Sequence, residues 1–141
     1  MMGDQQRSVV GGTAADGVGA AGTRSADGHA VQILVYNHVD GGQADASPST
    51  AVSLTLNNLP FTGAIRVRQY IVDHDHANSY RPWLAMGSPG RPTQAQWVAL
   101  RDAAELCYCE TTVQPAAGAW QLKFAQNIYG VDLFEITAAV Q

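Results

Sequence analysis

The segment Asp73-His74-Asp75-His76 carries the residue types best suited to chemistry in this sequence. Carboxylate and imidazole groups alternate along it, and both are ligands for zinc. A zinc site needs a third and a fourth ligand, and the two remaining histidines, His29 and His38, lie far away along the chain. The same groups can instead bond to the nearby backbone and hold the shape of a loop. We therefore predict a hydrogen-bonded loop, with no bound metal and no cofactor.

Polar and aromatic residues, among them Asn78, Tyr80 and Trp83, follow this segment directly in the sequence. Such a loop can bind sugar, because a CH face packs on an aromatic ring while amide groups bond to the hydroxyls. It can equally bury its aromatic side chains against a neighbouring domain. The aromatic fraction of 8% gives no particular support for a sugar-stacking platform. The candidate site is therefore a domain-docking or sugar-rim loop that contains Asp73, His76, Asn78, Tyr80 and Trp83.

No catalytic group is predicted within this chain. Hydrolysis of a glycosidic bond usually requires two convergent carboxylates. The chain has 12 acidic residues, but many of them lie in loop sequence, where they favour turns. Asp102 and Glu105 are three residues apart and could share one face of a helix, where solvation of that face explains them. The glycine pairs lack the preceding strand and the following helix of a dinucleotide site.

Runs of β-branched and aromatic residues predict six short strands. In one of them Val52, Leu54 and Leu56 alternate with polar residues, which is typical of a strand with one buried and one exposed face. The last strand has no cleanly apolar face, and its orientation is left open. The predicted strands cover residues 30–37, 51–57, 64–72, 106–112, 120–125 and 131–138.

One helix is predicted from Thr93 to Ala104. Thr93 and Gln96 have the spacing of a capping box, in which the hydroxyl accepts from a backbone N–H and the glutamine amide reaches back. Trp97 and Leu100 recur at helical spacing and predict a buried stripe. The substitution Trp97→Ala is therefore predicted to cost about 3–5 kcal/mol, as a large-to-small change in a core.

These elements indicate an all-β fold, an antiparallel β-sandwich with one inserted short α-helix. Regular structure is predicted to begin at His29. Residues 1–28 are rich in Gly, Ala, Ser, Thr and Asp, and we interpret them as a linker or the remnant of a preceding catalytic domain, with the sandwich at 29–141. The predicted core consists of Val31, Ile33, Val35, Leu54, Leu56, Val67, Trp97, Leu100, Leu122 and Phe124.

Charge and hydrophobicity argue against two classes of partner. The net charge is −4 and the pI is about 5.3, so no basic face is available to neutralise phosphates, and a nucleic-acid partner is not predicted. No apolar run approaches the ~20 residues that span a bilayer, and a membrane partner is not predicted either. Residues 1–10 contain no apolar stretch typical of a signal peptide.

The two cysteines, Cys107 and Cys109, form neither a CxxC motif nor a disulfide framework. Residues two apart in a strand lie on the same face, and a bridge between them would close a short, strained ring. We interpret them as buried free thiols. Free thiols, together with the missing signal peptide, favour a reducing, cytoplasmic location.

The stretch from Arg68 to Trp97 has a distinctive order of residues, which reads RQYIVDHDHANSY, then WLAMGSP, then RPTQAQW. It resembles the segments hYRID–x–x–HSNAY and W–x–x–MGSP–x–x–PT–x–x–QY of glycoside hydrolase family 39, which comprises β-xylosidases and the related α-L-iduronidase. Upstream, VQILVYNH and VSLTL are similar to two strands of that family. The resemblance spans about residues 29–136, and it departs from the family pattern at residues 77–79 and 126–130.

This resemblance implies a non-catalytic accessory β-sandwich, because in that family the matching region follows a (β/α)8 barrel that carries both catalytic glutamates. The parent protein would be a β-xylosidase-like retaining glycosidase. The segment from Asp73 to Trp83 would dock on the barrel near its active-site rim, leaving an apolar patch of Tyr80, Trp83 and Met86 in the isolated chain. Self-association through this patch and contact with xylo-oligosaccharides are left open. The alternative function is an independent carbohydrate-binding module.

Overall fold

The computed structural model describes residues 17–40, 49–116 and 119–139, together with the backbone of residues 5–7. These residues form antiparallel sheets and two short helices, which confirms the predicted all-β fold. The strands are β1 (Gln5–Arg7), β2 (Val18–Arg24), β3 (Ala30–Asn37), β4 (Ser49–Leu56), β5 (Ile65–Val72), β6 (Tyr108–Val113), β7 (Trp120–Asn127) and β8 (Val131–Ala138). The helices are α1 (Tyr80–Ala85) and α2 (Gln94–Ala103).

The strands form two layers of unequal size. The large sheet has the order β1-β2-β3-β8-β5-β6, and the small sheet pairs β4 with β7. The long segment that contains both helices connects β5 to its neighbour β6, so the helices emerge from one end of the large sheet. The small sheet lies against one face of the large sheet, and its two strands match only part of the width of the six.

The core lies between the inner face of the large sheet and the small sheet. The fully buried members are Ile33, Val35, Ile65, Val67, Phe134 and Ile136. Phe124 of the small sheet meets Phe134 edge to face at a centroid distance of 5.0 Å. The partly buried residues packed against this cluster include five that the sequence predicts, namely Val31, Leu54, Leu56, Leu122 and Phe124.

Regular structure begins before His29, contrary to the sequence prediction. Strand β2 lies within residues 1–28 and pairs along its whole length with β3. The residues of β2 are mostly small, so their β-propensity does not predict a strand there. The ring of Tyr36 lies over Gly19, where an added Cβ would come within 2.3 Å of the ring. A cross-strand aromatic side chain thus supplies the packing that β2 lacks. Whether 1–28 also includes a linker remains a prediction.

The prediction that Trp97 is buried is wrong. Helix α2 begins as predicted, with the complete capping box between Thr93 and Gln96. Leu100 is buried, but Trp97 is 58% exposed. The reason is tertiary: α2 packs beside α1 at the end of the sandwich, and Leu100 lies outside the main core cluster. A helix that does not lie on the sheet cannot bury its whole apolar stripe there.

Candidate domain-docking surface

Asp73 organises the segment that leaves strand β5. Its carboxylate is buried, and Oδ1 accepts hydrogen bonds from the backbone N–H groups of Asp75 and His76, each at 2.8 Å. The imidazole Nδ1 of His76 lies 2.8 Å from the same oxygen, and Asn127 donates to Oδ2 at 2.6 Å. The predicted hydrogen-bonded loop is therefore confirmed, and Asp73 contacts both the backbone and the His76 ring.

The two buried carboxylates near this loop respond to burial in opposite ways. For Asp73, burial raises the pKa, but the hydrogen bonds from Asn127, Asp75 and His76 outweigh it and hold the pKa below its usual value. For Asp132 of β8, burial dominates and raises the pKa, although Gln69 donates to it at 2.5 Å. The loop thus favours the ionised form of Asp73. The carboxylate oxygens accept the hydrogen bonds that hold the backbone of the loop in place.

Asn78 joins this loop to the start of helix α1. Its side-chain amide donates to the carbonyl of Asp73 at 3.0 Å, and its Oδ1 accepts from the backbone N–H of Tyr80 at 2.8 Å. Ala77 takes a positive φ of 51° between these contacts, a conformation that costs about 1–2 kcal/mol for a residue with a Cβ. The polar contacts therefore fix a strained but specific path from the sheet to the helix.

The polar segment does not form a metal site by itself. Across residues 17–40, 49–116 and 119–139, no group of three histidine, cysteine or acidic side chains converges. Asp75 pairs with Arg81 of α1, and Asp73 already accepts four hydrogen bonds. These contacts position the helix rather than hold an ion.

Helix α1 begins inside the predicted loop of residues 73–83 and ends beyond it at Ala85, and it orders the aromatic residues of the candidate site. The rings of Tyr80 and Trp83 are stacked at a centroid distance of 5.8 Å, and Trp83 Nε1 donates to the carbonyl of Pro89 at 3.2 Å. Tyr80 is 59% exposed, whereas Trp83 and Met86 are partly buried. Trp83 thus helps to hold the helical unit together, while Tyr80 faces solvent.

The two helices present an apolar surface that the sandwich does not cover. Leu100 is the one buried residue of the helical pair. A cleft of about 540 Å³ between the helices is lined in part by Trp83, Trp97 and Val98. We call this the helical surface, defined by its exposed apolar residues Tyr80, Leu84, Trp97 and Val98.

The outer face of the large sheet, on the side away from the core, carries a second apolar feature. Strand register places a continuous row of apolar residues across five strands, and we call it the outer row: Ala21, Leu34, Leu133, Tyr70 and Tyr108. Steps of about 4.8 Å between strands give this row a length of about 19 Å. The rings of Tyr70 and Tyr108 meet at 5.3 Å.

Two further rows of residues flank the outer row on the same face of the large sheet. The row nearer the helices is largely apolar, and the row on the other side is charged. The row nearer the helices contains Gly19, Tyr36, Val131 and Val72. Val72 also lines a groove with Tyr80 and Leu84, so the outer face is continuous with the helical surface. On the far side, Arg68 bonds to Glu110 at 2.7 Å and lies 3.8 Å from Glu135. An apolar area with a polar border is typical of a contact surface.

The sequence prediction identified the loop but missed the outer face. Strand β8 carried the signal, because Val131 and Leu133 alternate with Phe134 and Ile136, so apolar residues lie on both faces. That pattern is typical of a strand covered on both sides. In the isolated chain the small sheet covers only the side that holds Phe134 and Ile136.

The cysteine prediction is half right. Cys107 and Cys109 are free thiols, but both are exposed rather than buried. Cys109 lies in β6 and Cys107 just before it, at the end of the strand where every residue from 107 to 112 is exposed. The acidic pair Asp102 and Glu105 is also exposed, so solvation explains it.

Comparison with known proteins identifies relatives of this chain. The sequence model of Glycosyl hydrolases family 39 matches residues 12–121. A comparison with curated proteins gives no match. Within the described residues, no helix has the length and apolar character needed to cross a membrane.

Several solved structures share the fold. A monomeric β-xylosidase from Caulobacter crescentus is 22% identical with a TM-score of 0.70, over 86% of this chain and 26% of that one. A bacterial orthologue of human α-L-iduronidase is 23% identical with a TM-score of 0.72, over 89% of this chain and 23% of that one. An enzyme of family 39 from Xanthomonas axonopodis pv. citri is 16% identical with a TM-score of 0.71, over 85% and 26%. The chain thus spans about a quarter of the length of these proteins.

Proposed function

Because this chain belongs to glycosyl hydrolase family 39, we propose that it is a non-catalytic accessory β-sandwich that packs against a (β/α)8 catalytic barrel and supports it. The parent enzyme would be a retaining, β-xylosidase-like glycosidase. The observation that carries this proposal is the apolar area that runs from the helical surface across the outer row. The loop from Asp73 to Trp83 joins the two parts, so one partner can cover both.

The size and continuity of this area favour a large partner. Isolated apolar side chains on a surface are ordinary, but a contiguous patch with a polar border marks a contact region. The outer face of a (β/α)8 barrel is a ring of helices, which can pack on both a sheet face and a helix pair. Trp97 is exposed and Tyr70 is only partly buried, so covering both in such a contact would remove further apolar surface from water.

The alternative function, an independent carbohydrate-binding module, receives less support. Sugar rings stack on open aromatic faces, whereas Tyr80 and Trp83 stack on each other. Tyr70 and Tyr108 likewise pack against each other, and the guanidinium of Arg68 lies over the ring of Tyr108 at 4.8 Å. These rings are distributed over a broad face rather than along one groove.

The chain alone is expected to hydrolyse no aryl β-xyloside. A retaining mechanism needs two carboxyl groups about 5 Å apart, and among the described residues the buried carboxylates Asp73 and Asp132 are committed to hydrogen bonds within the fold. Release of nitrophenol from the xyloside should equal that of buffer. Turnover above buffer that disappears in Asp73→Asn or Asp132→Asn would contradict the proposal.

Docking can be measured by co-expressing this chain with the part of the Caulobacter crescentus β-xylosidase that lies outside the matched region. We expect a complex whose dissociation constant rises roughly tenfold or more when Trp97 or Tyr70 is replaced by serine, as for a central contact residue. Lys123→Ser is the matched control, because Lys123 is exposed on the small sheet, on the opposite side of the sandwich. Failure of the unmodified chain to bind, or equal weakening by Lys123→Ser, would refute the docking role.

A further inference from the structure

The two exposed cysteines near the start of β6 have no part in the proposed docking role, and their positions suggest a separate property. Cys107 and Cys109 are both free and exposed, and they flank Tyr108. Cys109 pairs with Gln69 in the sheet, whereas Cys107 lies just before the first paired residue, Tyr108. One thiol is therefore anchored to the sheet, and the other lies on the connection from α2.

The spacing brings the two thiols close to the limit for a disulfide. In a fully extended chain, Cα atoms two residues apart are about 6.6–6.8 Å apart, and Cys107, which precedes β6, is not held at that extension by strand pairing. Disulfides usually join Cα atoms between about 4.4 and 6.8 Å apart. A small shortening at the Cys107 end is enough to close the bridge, and among the described strands β6 is the last of the large sheet and pairs only with β5.

We infer that Cys107 and Cys109 form a reversible dithiol–disulfide pair that exchanges with low-molecular-weight disulfides such as glutathione disulfide. One thiolate attacks the glutathione disulfide, forms a mixed disulfide and releases one glutathione. The second thiolate then attacks the protein sulfur of that mixed disulfide and releases the second glutathione. Two S–H bonds of the protein are replaced by one S–S bond, glutathione disulfide is reduced to two thiols, and the two protons pass to them.

The bridge would act against a contact that the reduced chain makes. The side chain of Tyr108 points to the face opposite Cys109, where it packs on Tyr70 at 5.3 Å and beneath Arg68 at 4.8 Å. Shortening the backbone between the cysteines bends residue 108 out of the strand and weakens that contact. A strained bridge is easily reduced, which makes the pair reversible.

Oxidation should also alter the outer row, because Tyr108 is its last member. This consequence rests on the proposed docking function, whereas the exchange chemistry does not. The two can therefore fail separately: the exchange is measured on the chain alone, with no partner present.

The test is to incubate the chain with glutathione disulfide and to measure its intact mass and peptide map. The unmodified chain should lose two hydrogens within a peptide that contains both cysteines, and dithiothreitol should reverse the change. Cys107→Ser and Cys109→Ser should each carry one glutathione instead. An unmodified chain that retains glutathione on either cysteine, that links to a second copy, or that does not react would overturn the inference.

A second variant tests the opposing contact. Tyr108→Ala removes the ring that the bridge displaces and leaves both thiols unchanged. The equilibrium constant for bridge formation against glutathione should rise about 3- to 10-fold, the range of one aromatic pair contact. Thr112→Ala, an exposed substitution on the same strand that leaves Tyr108, Tyr70 and Arg68 unchanged, is the control and should leave the constant within about twofold, as for a surface substitution. An equal constant in Tyr108→Ala and the unmodified chain would show that the bridge does not displace this ring.

Discussion

Replacing Phe134 by alanine should lower the free energy of unfolding by about 3–5 kcal/mol, the range for removal of a buried aromatic side chain. Phe134 is 1% exposed and lies on β8, where it packs edge to face on Phe124 of the small sheet. It therefore joins the two layers, and its loss leaves a cavity at their contact. Urea denaturation at neutral pH, with a two-state fit, measures the change.

Trp97→Ala is the matched control for this prediction. Trp97 has the larger side chain, but it is 58% exposed, so the same measurement should show a loss of less than about 1 kcal/mol. If Trp97→Ala destabilises the chain as much as Phe134→Ala, α2 packs on the core in solution, and the helical surface is not open for docking. A small loss in both variants would contradict the assignment of the core.

Asp73→Ala should destabilise the chain by about 2–4 kcal/mol, because it leaves buried donors without an acceptor. The N–H groups of Asp75 and His76 and the side-chain amide of Asn127 would all lose the carboxylate. Asp75→Ala is the control at a distance of two residues, since Asp75 is exposed and should change stability by less than about 1 kcal/mol. Thermal or urea unfolding of the three proteins in parallel gives the comparison.

The effect of Asp73 should depend on pH with a defined sign. Its folded pKa lies below the usual value of 3.8, so its contribution is present above pH 3.8 and is lost as the pH falls through the folded pKa. The stability difference between the unmodified chain and Asp73→Ala should therefore shrink below pH 3.8.

Asp132 provides the opposite case. Its pKa is raised by burial, so its contribution is present below pH 3.8 and is lost as the pH rises through the folded pKa. Asp132→Asn, which can still accept from Gln69, should gain stability relative to the unmodified chain as the pH rises above 3.8. If the stability difference between each variant and the unmodified chain does not change with pH, the pKa values of the two carboxyl groups are not shifted in the directions described.

Local patterns predicted much of the fold. The alternation of Val52, Leu54 and Leu56 placed β4 correctly, and the box from Thr93 to Gln96 marked the start of α2 to the residue. Both signals are short range, because side-chain alternation and capping depend on residues a few positions apart. The hydrogen-bonded loop that begins at Asp73 is equally local, and the sequence predicted it.

Errors arose where burial depends on the placement of whole elements. The spacing of Trp97 and Leu100 predicts a stripe, but not which surface covers that stripe. Cysteines are usually buried, yet Cys107 and Cys109 lie at the exposed end of β6, away from the core cluster. Strand β2 is composed of small residues, and the ring of Tyr36 that covers it comes from another strand.

The sequence by itself determined that the chain is an all-β sandwich, that its helix begins after Thr93, and that it resembles family 39 through the residues around Asp73. These conclusions depend on local periodicity, capping and the order of residues along the chain. The tertiary structure alone decided which apolar residues remain open. The outer row joins residues from five strands that are distant in sequence, and only the register of those strands brings Leu34, Leu133 and Tyr70 together, because hydrogen bonding between strands sets which side chains become neighbours.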